Sequence, residues 1–261
     1  MPELPDVELY LHSLRTHVVG HTLLGTRIGS PFVLRSVDPP IAEVAGKEVS
    51  GVQRVGKRVV LELDDDLFIV IHLMIAGRLR WRPPRQKLPG RMGLAAFDFE
   101  HGTLLLTEAS KKKRASIHVC RGAEALAEHD PGGIDPLSVD AKRFAEALTE
   151  TNHTVKRALT DPRIFSGIGN AYSDEILHRA KLSPLIWTQR MSDEQLARLH
   201  HATQEVLEEW VARLVEQHRQ DFPEKVTAFR PEMAAHGKYG EPCPVCGDPI
   251  QRIVFADRET N

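Results

Sequence analysis

Cysteine is scarce in this chain of 261 residues: Cys120, Cys243 and Cys246 are the only three. Three thiols so unevenly placed make no disulfide framework, and the last two have the C-x2-C spacing of a metal knuckle. No apolar run approaches the roughly 20 residues a membrane helix needs, and no cationic-then-apolar leader opens the chain, so a cytoplasmic protein is expected. An excess of charge is missing too. The formal net charge is −2, and residues 1–110 carry 13 Lys/Arg against 13 Asp/Glu, leaving 21 against 23 for the rest. Bulk charge therefore points to no polyanion partner, and any nucleic-acid face must come from local placement of cations. Internal repeats and low-complexity tracts are absent. What is present is ordinary for a globular protein, 41% hydrophobic and 27% charged residues, at a length that allows two medium-sized cores.

The first 120 residues read mostly as β. Val59–Leu63, Leu67–Ile71, Ala95–Phe99 and Thr103–Thr107 are short aliphatic or β-branched stretches, with turn signals such as Asp64-Asp65-Asp66 and His101-Gly102 between them. That spacing predicts an antiparallel sandwich or barrel. Within Val7–Val19, Leu9, Leu11, Leu14 and Val18 recur at helical spacing, so a helix is expected there. Residues 83–91 read as an exposed loop and 130–138, with two glycines and two prolines, as a linker. Beyond it the pattern turns helical: Leu196, Leu199, Val206, Trp210 and Leu214 form one stripe of a helix over about 193–218.

The residues richest in chemistry stand at the start, Met1-Pro2-Glu3-Leu4-Pro5-Asp6-Val7-Glu8. A small residue at position 2 favours removal of Met1, which leaves proline's secondary amine as the chain terminus. An α-amine has a pKa of about 8 against about 10.4 for lysine, so more of it is a free nucleophile at neutral pH. Attack of a secondary amine on a sugar anomeric carbon gives an iminium directly, an electron sink for later elimination. Glu3 is placed to protonate the ring oxygen or shuttle a proton. Taken alone, the same residues read first as a chain start with an acid that caps the first helix.

Pro-Glu-Leu-Pro-Asp-Val-Glu closely resembles the opening of the formamidopyrimidine-DNA glycosylase/endonuclease VIII family. It leans towards the formamidopyrimidine branch, since the other branch usually has glycine where Leu4 stands. Asp6 replaces the family's usual glutamate, a conservative change. The resemblance implies an α+β multidomain protein: an N-terminal catalytic antiparallel β-sandwich over 1–130, a helical DNA-binding domain with a helix–two-turn–helix over 138–235, and a zinc-ribbon-like segment over 236–261. It implies a base-excision repair enzyme that removes damaged bases through a Schiff base on the N-terminal proline and then cuts the strand as an abasic-site lyase. The implied partner is damaged double-stranded DNA, with bubble or single-stranded DNA also open, bound by a bacterial, DNA-associated monomer.

Downstream motifs follow in register. Lys57, in Val55-Gly56-Lys57-Arg58, matches the family's β-domain lysine that grips phosphate near the lesion, and joins Pro2 and Glu3 in the catalytic set. Val155–Asp161 leading into Phe165–Tyr172 is similar to the helix–two-turn–helix. There Gly167 and Gly169 permit a tight turn, and Asn170 opens a helix whose free N–H groups attract an anion. Lys156 adds a point charge to the same phosphate. Gly240-Glu241-Pro242-Cys243-Pro244-Val245-Cys246-Gly247 resembles the first knuckle of the family's zinc ribbon, with Cys243 and Cys246 as ligands of one structural zinc. The family's second cysteine pair would fall beyond Asn261, so the zinc is expected to require cysteines past that residue; a metal-free segment is the alternative, and His236 is the nearest other candidate ligand. Arg258 matches the ribbon's tip arginine, which contacts the phosphates flanking the extruded nucleotide. Cys120, on an apparent strand, reads as a core thiol.

Departures from the family bear on specificity. Relatives that excise oxidised purines fill the hole left by the flipped base with a methionine and an arginine–phenylalanine pair. In His72-Leu73-Met74-Ile75-Ala76-Gly77, Ile75 stands in the methionine's register and Met74 one place early, so either is a candidate wedge. The loop for the other pair reads Ser110-Lys111-Lys112-Lys113-Arg114-Ala115-Ser116, with no aromatic residue. Lys111, Lys112, Lys113 and Arg114 read either as a solvated basic turn or as a loop that contacts the DNA backbone. Gln220–His236 lacks the threonine- and glycine-rich lesion-capping loop, and His236 stands where a tyrosine is usual. Two other classes remain: a non-catalytic DNA-damage or abasic-site binding protein of the same fold, and an unrelated ribbon-bearing nucleic-acid scaffold. The intact Pro2/Glu3 pair argues against the first, and the second would have to treat the N-terminal motif as chance.

Overall fold

The computed structural model describes residues 1–261 apart from 228, 256 and 257; the side chains of residues 255 and 258 also lie outside the description. The chain divides into two compact units. One comprises residues 1–2, 6–130 and 214–226, the other residues 3–5, 131–213 and 227–261. In chain order the elements of the first unit are α1 (Leu4–His17), whose first two residues belong to the second unit, then β1 (Thr22–Leu23), β2 (Gly25–Ile28), β3 (Lys47–Val55), β4 (Arg58–Leu63), β5 (Leu67–His72), β6 (Gly77–Arg82), β7 (Gly93–Asp98), β8 (Thr103–Glu108), β9 (Ser116–Arg121) and α2 (Gly122–Ala127). The second contains α3 (Ala141–Thr149), α4 (Val155–Thr160), α5 (Asn170–Ala180), most of α6 (Asp193–Gln217) and the hairpin β10 (Ile253–Phe255)–β11 (Arg258–Thr260).

The first unit is an antiparallel sandwich. One sheet has strand order β1-β3-β4-β5-β9, the other β2-β7-β8-β6. Alternation explains the layers. Val59, Leu61, Ile69, Ile71, Ile117 and Val119 are buried from one sheet and Leu79, Phe97, Leu104 and Leu106 from the other. The β4–β5 hairpin turns through Asp65 (φ 60°) and Asp66 (φ 56°), a left-handed conformation that aspartate tolerates better than most residues. The outer face of the five-stranded sheet is partly covered by α2, with Val60, Val70, Cys120 and Leu126 forming a separate apolar cluster. Cys120 is thus a core thiol, and burial pushes its pKa up. The N-terminal helix begins at Leu4, three residues earlier than periodicity alone predicts.

In the helical unit, α3 is N-capped by Asp140, whose carboxylate accepts from Arg143 N at 2.9 Å. Helix α6 buries Leu199, Val206, Trp210 and Leu214 along the stripe read from the sequence. No helix among the described residues is long and apolar enough to cross a membrane.

Candidate active site

Helix α5 organises the polar interior of the helical unit. The tight turn before it contains Gly167 (φ 84°), whose carbonyl accepts from Leu4 N at 2.9 Å and so fixes the start of the chain. Glu3, 3% exposed, then sends its carboxylate to the helix N-terminus: Oε2 accepts from Gly169 N (2.8 Å) and Tyr172 N (3.1 Å), and Oε1 from Ala171 N (3.0 Å). Three amides at the positive end of a helix dipole are a natural seat for an anion. The sequence predicts an anion at this helix terminus; the one that sits there belongs to the protein itself. Asn170 points its side-chain amide to Glu259 O at 2.5 Å.

Lys156 is 9% exposed, and its Nζ donates to Asn170 O (2.7 Å) and Asp174 Oδ1 (2.5 Å). Burial pushes the ammonium below its ordinary pKa, against the opposing pull of Asp174. The second oxygen of Asp174 accepts from His236 Nδ1 at 2.7 Å, so a fully enclosed carboxylate bridges lysine and imidazole. Glu175, the next residue, accepts backbone N–H groups of Ala234, Ala235 and His236 at 2.8–2.9 Å. The sequence reading misses Asp174 and Glu175. Their signal, two consecutive acids in the second turn of a helix, becomes meaningful only once buried partners are known.

In the β unit, Gly56 (φ 60°) and Lys57 form the β3–β4 turn closed by the Val55–Arg58 pair. His72, paired with Arg58 across β4–β5, has its pKa lowered to about 4 by burial and then by the charges of Arg58, Lys57 and His118, so it is neutral at physiological pH. Beyond β5, Met74 has φ 52° and Ile75 is 57% exposed at the turn. The turn is held tight at Gly77, whose N donates to Leu73 O and where a Cβ would lie 2.3 Å from that oxygen. Lys111, Lys112 and Arg114 are exposed, whereas Lys113 is half-buried and its Nζ donates to Glu108 O. The buried Glu108 carboxylate shapes this loop, accepting from Arg114 N (2.9 Å) and Ala115 N (3.0 Å).

The cysteine knuckle has the backbone of a metal-binding turn: Gly247 N donates to Cys243 O (2.9 Å), and Val245 N points to Cys243 Sγ (3.4 Å). The imidazole beside it is His178, whose Nε2 lies 3.2 Å from Cys243 Sγ; His236 is committed to Asp174. That contact first, and then the N–H groups of Cys246 and Val245, lower the Cys243 thiol to a pKa of about 6, which favours the thiolate a metal needs. The donor set fits zinc, although among the described residues no group of three or more ligands forms a metal site. Arg258 opens β11, and its side chain lies outside the described residues.

Sandwich, paired-turn helical module and cysteine knuckle together define a known class of DNA-repair fold, and the comparisons agree part by part. Residues 1–118 match the formamidopyrimidine-DNA glycosylase N-terminal domain, 133–219 the formamidopyrimidine-DNA glycosylase H2TH domain, and 240–261 the zinc finger found in FPG and IleRS. The formamidopyrimidine-DNA glycosylase of Chloroflexus aurantiacus is 32% identical over 270 residues, covering 100% of this chain and 95% of that one. That of Thermus thermophilus is 31% identical over 272 residues, with 100% and 96% covered. Among solved structures, the Lactococcus lactis enzyme bound non-covalently to DNA containing an abasic site superposes with a TM-score of 0.86 at 25% identity, covering 99% of this chain and 96% of that one. The Thermus thermophilus enzyme gives 0.83 at 30% identity, with 99% and 96% covered. The chain belongs to the formamidopyrimidine-DNA glycosylase family.

Proposed function

We propose that this chain, a DNA glycosylase and abasic-site lyase of base-excision repair, works through a Schiff base on Pro2. With Met1 removed, the amine of Pro2 bonds to C1′ of the deoxyribose as the bond from C1′ to the damaged base breaks, and the departing base anion takes a proton from solvent water. Ring opening then leaves an iminium; loss of a C2′ proton to a base expels the 3′ phosphate by elimination. Glu3 takes the proton from the proline nitrogen and passes it to the ring oxygen. The observation that carries this reading is the Glu3 carboxylate, sequestered in the protein and oriented by three backbone amides beside the residue that becomes the chain terminus. Lys57, Lys156, Asn170 and Arg258 hold phosphates, Lys111, Lys112, Lys113 and Arg114 supply a cationic loop, and Ile75 at its exposed turn, with Met74 beside it, wedges into the base stack. The partner is damaged duplex DNA, bound by a monomer. Borohydride should trap a covalent complex with an abasic duplex. Binding without trapping on any abasic duplex would instead identify a non-catalytic damage binder.

Lesion choice follows from the wedge. Flipping a base costs a few kcal/mol of unstacking, which an inserted ring or a pairing side chain offsets. The loop 110–116 offers cations and no ring. Abasic sites and ring-opened or ring-saturated bases, which already weaken pairing or stacking, should therefore be processed faster than 8-oxoguanine opposite cytosine. Single-turnover rates on matched duplexes test this, and the reverse order would remove the lysine loop as a specificity determinant.

Cys243 and Cys246 supply two of the four donors of a structural zinc. When bound, zinc orders the ribbon and with it Arg258. Two thiolates do not close a tetrahedral site, so residues 1–261 should hold zinc poorly by metal analysis. Stoichiometric zinc in residues 1–261 would contradict this and point to His178 as a ligand.

A further inference from the structure

The outer face of the five-stranded sheet changes character along its length. Residues 58, 60, 68, 70, 72, 118 and 120 share this face by strand alternation, and the pairs Arg58–His72, Val60–Val70, Val70–His118 and Phe68–Cys120 fix their neighbours. One end is apolar and capped by Leu126 of α2. The other end presents Arg58, His72 and His118, and the segment after α2 brings His129 onto them, with ring centroids of His118 and His129 4.7 Å apart. Nothing in the sandwich core requires a guanidinium and three imidazoles here.

These groups are costly as they stand. Burial lowers the pKa of all four, and for the histidines the neighbouring positive charges lower it further: Arg58 and Lys57 act on His72, Arg58 and Arg35 on His118, and Arg58 on His129. The opposing acids are few, Asp130 near Arg58 and Glu128 near His129. Nδ1 of His118 is enclosed and makes no hydrogen bond among the described residues, which leaves Nε2 as the imidazole atom able to reach a ligand. A guanidinium with neutral imidazole N–H groups around it is a donor set for a tetrahedral oxyanion, and a bound anion would offset the burial, and after it the repulsion, that lower the histidines.

We propose that Arg58, His118 and His129 form a second phosphate site on the outer face of the five-stranded sheet, which takes the phosphodiester next to the one gripped by Lys57. This rests on the DNA-repair reading above. Lys57 and Arg58 are consecutive residues where the β3–β4 turn enters β4, so the two sites follow a single strand of backbone and extend the grip by one nucleotide.

The test uses the full chain and a duplex with a non-cleavable abasic analogue. Each phosphate contact contributes about 0.9 to the slope of log affinity against log salt. Arg58→Gln combined with His118→Gln should therefore lower the slope by about 0.9 and weaken low-salt binding several-fold. In the unsubstituted protein, the imidazole resonances of His118 and His129 should move on addition of the duplex and move less with inorganic phosphate at equal occupancy of Lys57. An unchanged salt slope together with unmoved imidazole resonances in a DNA-bound protein would overturn the site. Movement with inorganic phosphate but none with the duplex would also overturn it, by making the ligand a free ion. Absence of any duplex binding by the unsubstituted protein would instead reject the underlying repair reading, so the two failures are distinct.

Discussion

Glu3→Ala is expected to slow base release by about 10²- to 10⁴-fold, the usual share of a positioned general acid–base group. It should also destabilise the helical unit by about 2–4 kcal/mol, because hydrogen bonds to a buried charged acceptor are worth more than neutral ones and three amides lose theirs together. The two effects have one origin. The carboxylate that moves the proton is also the anion seated on the N-terminus of α5 through Gly169, Ala171 and Tyr172. Glu3→Gln separates them: the amide oxygen still accepts one or two of those N–H groups, so stability recovers in part, while proton transfer does not. Single-turnover base release and urea unfolding of the two variants give the comparison. Wild-type stability in Glu3→Ala would mean that the helix terminus does not depend on this side chain.

Asp174→Ala should cost about 3–5 kcal/mol, the range for removing one partner of a buried ion pair. It strands the Lys156 ammonium, 9% exposed, without its counter-charge, and leaves His236 Nδ1 without an acceptor. Replacing both charges at once, Lys156→Met with Asp174→Leu, should recover most of the loss, since an apolar pair of similar volume incurs no desolvation penalty. A double-mutant cycle by denaturant unfolding measures the coupling. Additive losses would show that lysine and aspartate act independently. The double variant should still bind DNA less well, because Lys156 is proposed to hold phosphate.

Particular elements explain what the sequence could reveal. Leu67–Ile71 and Thr103–Thr107 are buried on both faces or nearly so and flanked by turns, and α6 carries a stripe long enough to show its period, so these are legible from pattern alone. Strands β1 and β2, of two and four residues, are too short for alternation to register, and they exist through pairing with β3 and β7. In the site, Pro2, Glu3 and the Gly-x-Gly-Asn turn stand out because each is a compact local motif. That Glu3 itself occupies the turn is invisible, since the contact joins positions 166 residues apart. The Lys156–Asp174–His236 chain is hidden for the same reason: a buried charge is defined by partners that only folding brings together. The reading of the cysteine knuckle names His236 as the nearest extra ligand, whereas helix α5 places His178 there, because periodicity sets which face of a helix meets the knuckle.

The most direct test of the central claim is the identity of the nitrogen that bonds to the sugar. The protein should be incubated with an abasic duplex and borohydride, digested, and the peptide carrying the added sugar mass sequenced by fragmentation. The amine of Pro2 is expected to carry it, in a chain that has lost Met1, and Pro2→Gly should give far less adduct. An adduct on the ε-amine of Lys57 or Lys156, or full trapping by a chain that retains Met1, would contradict the account.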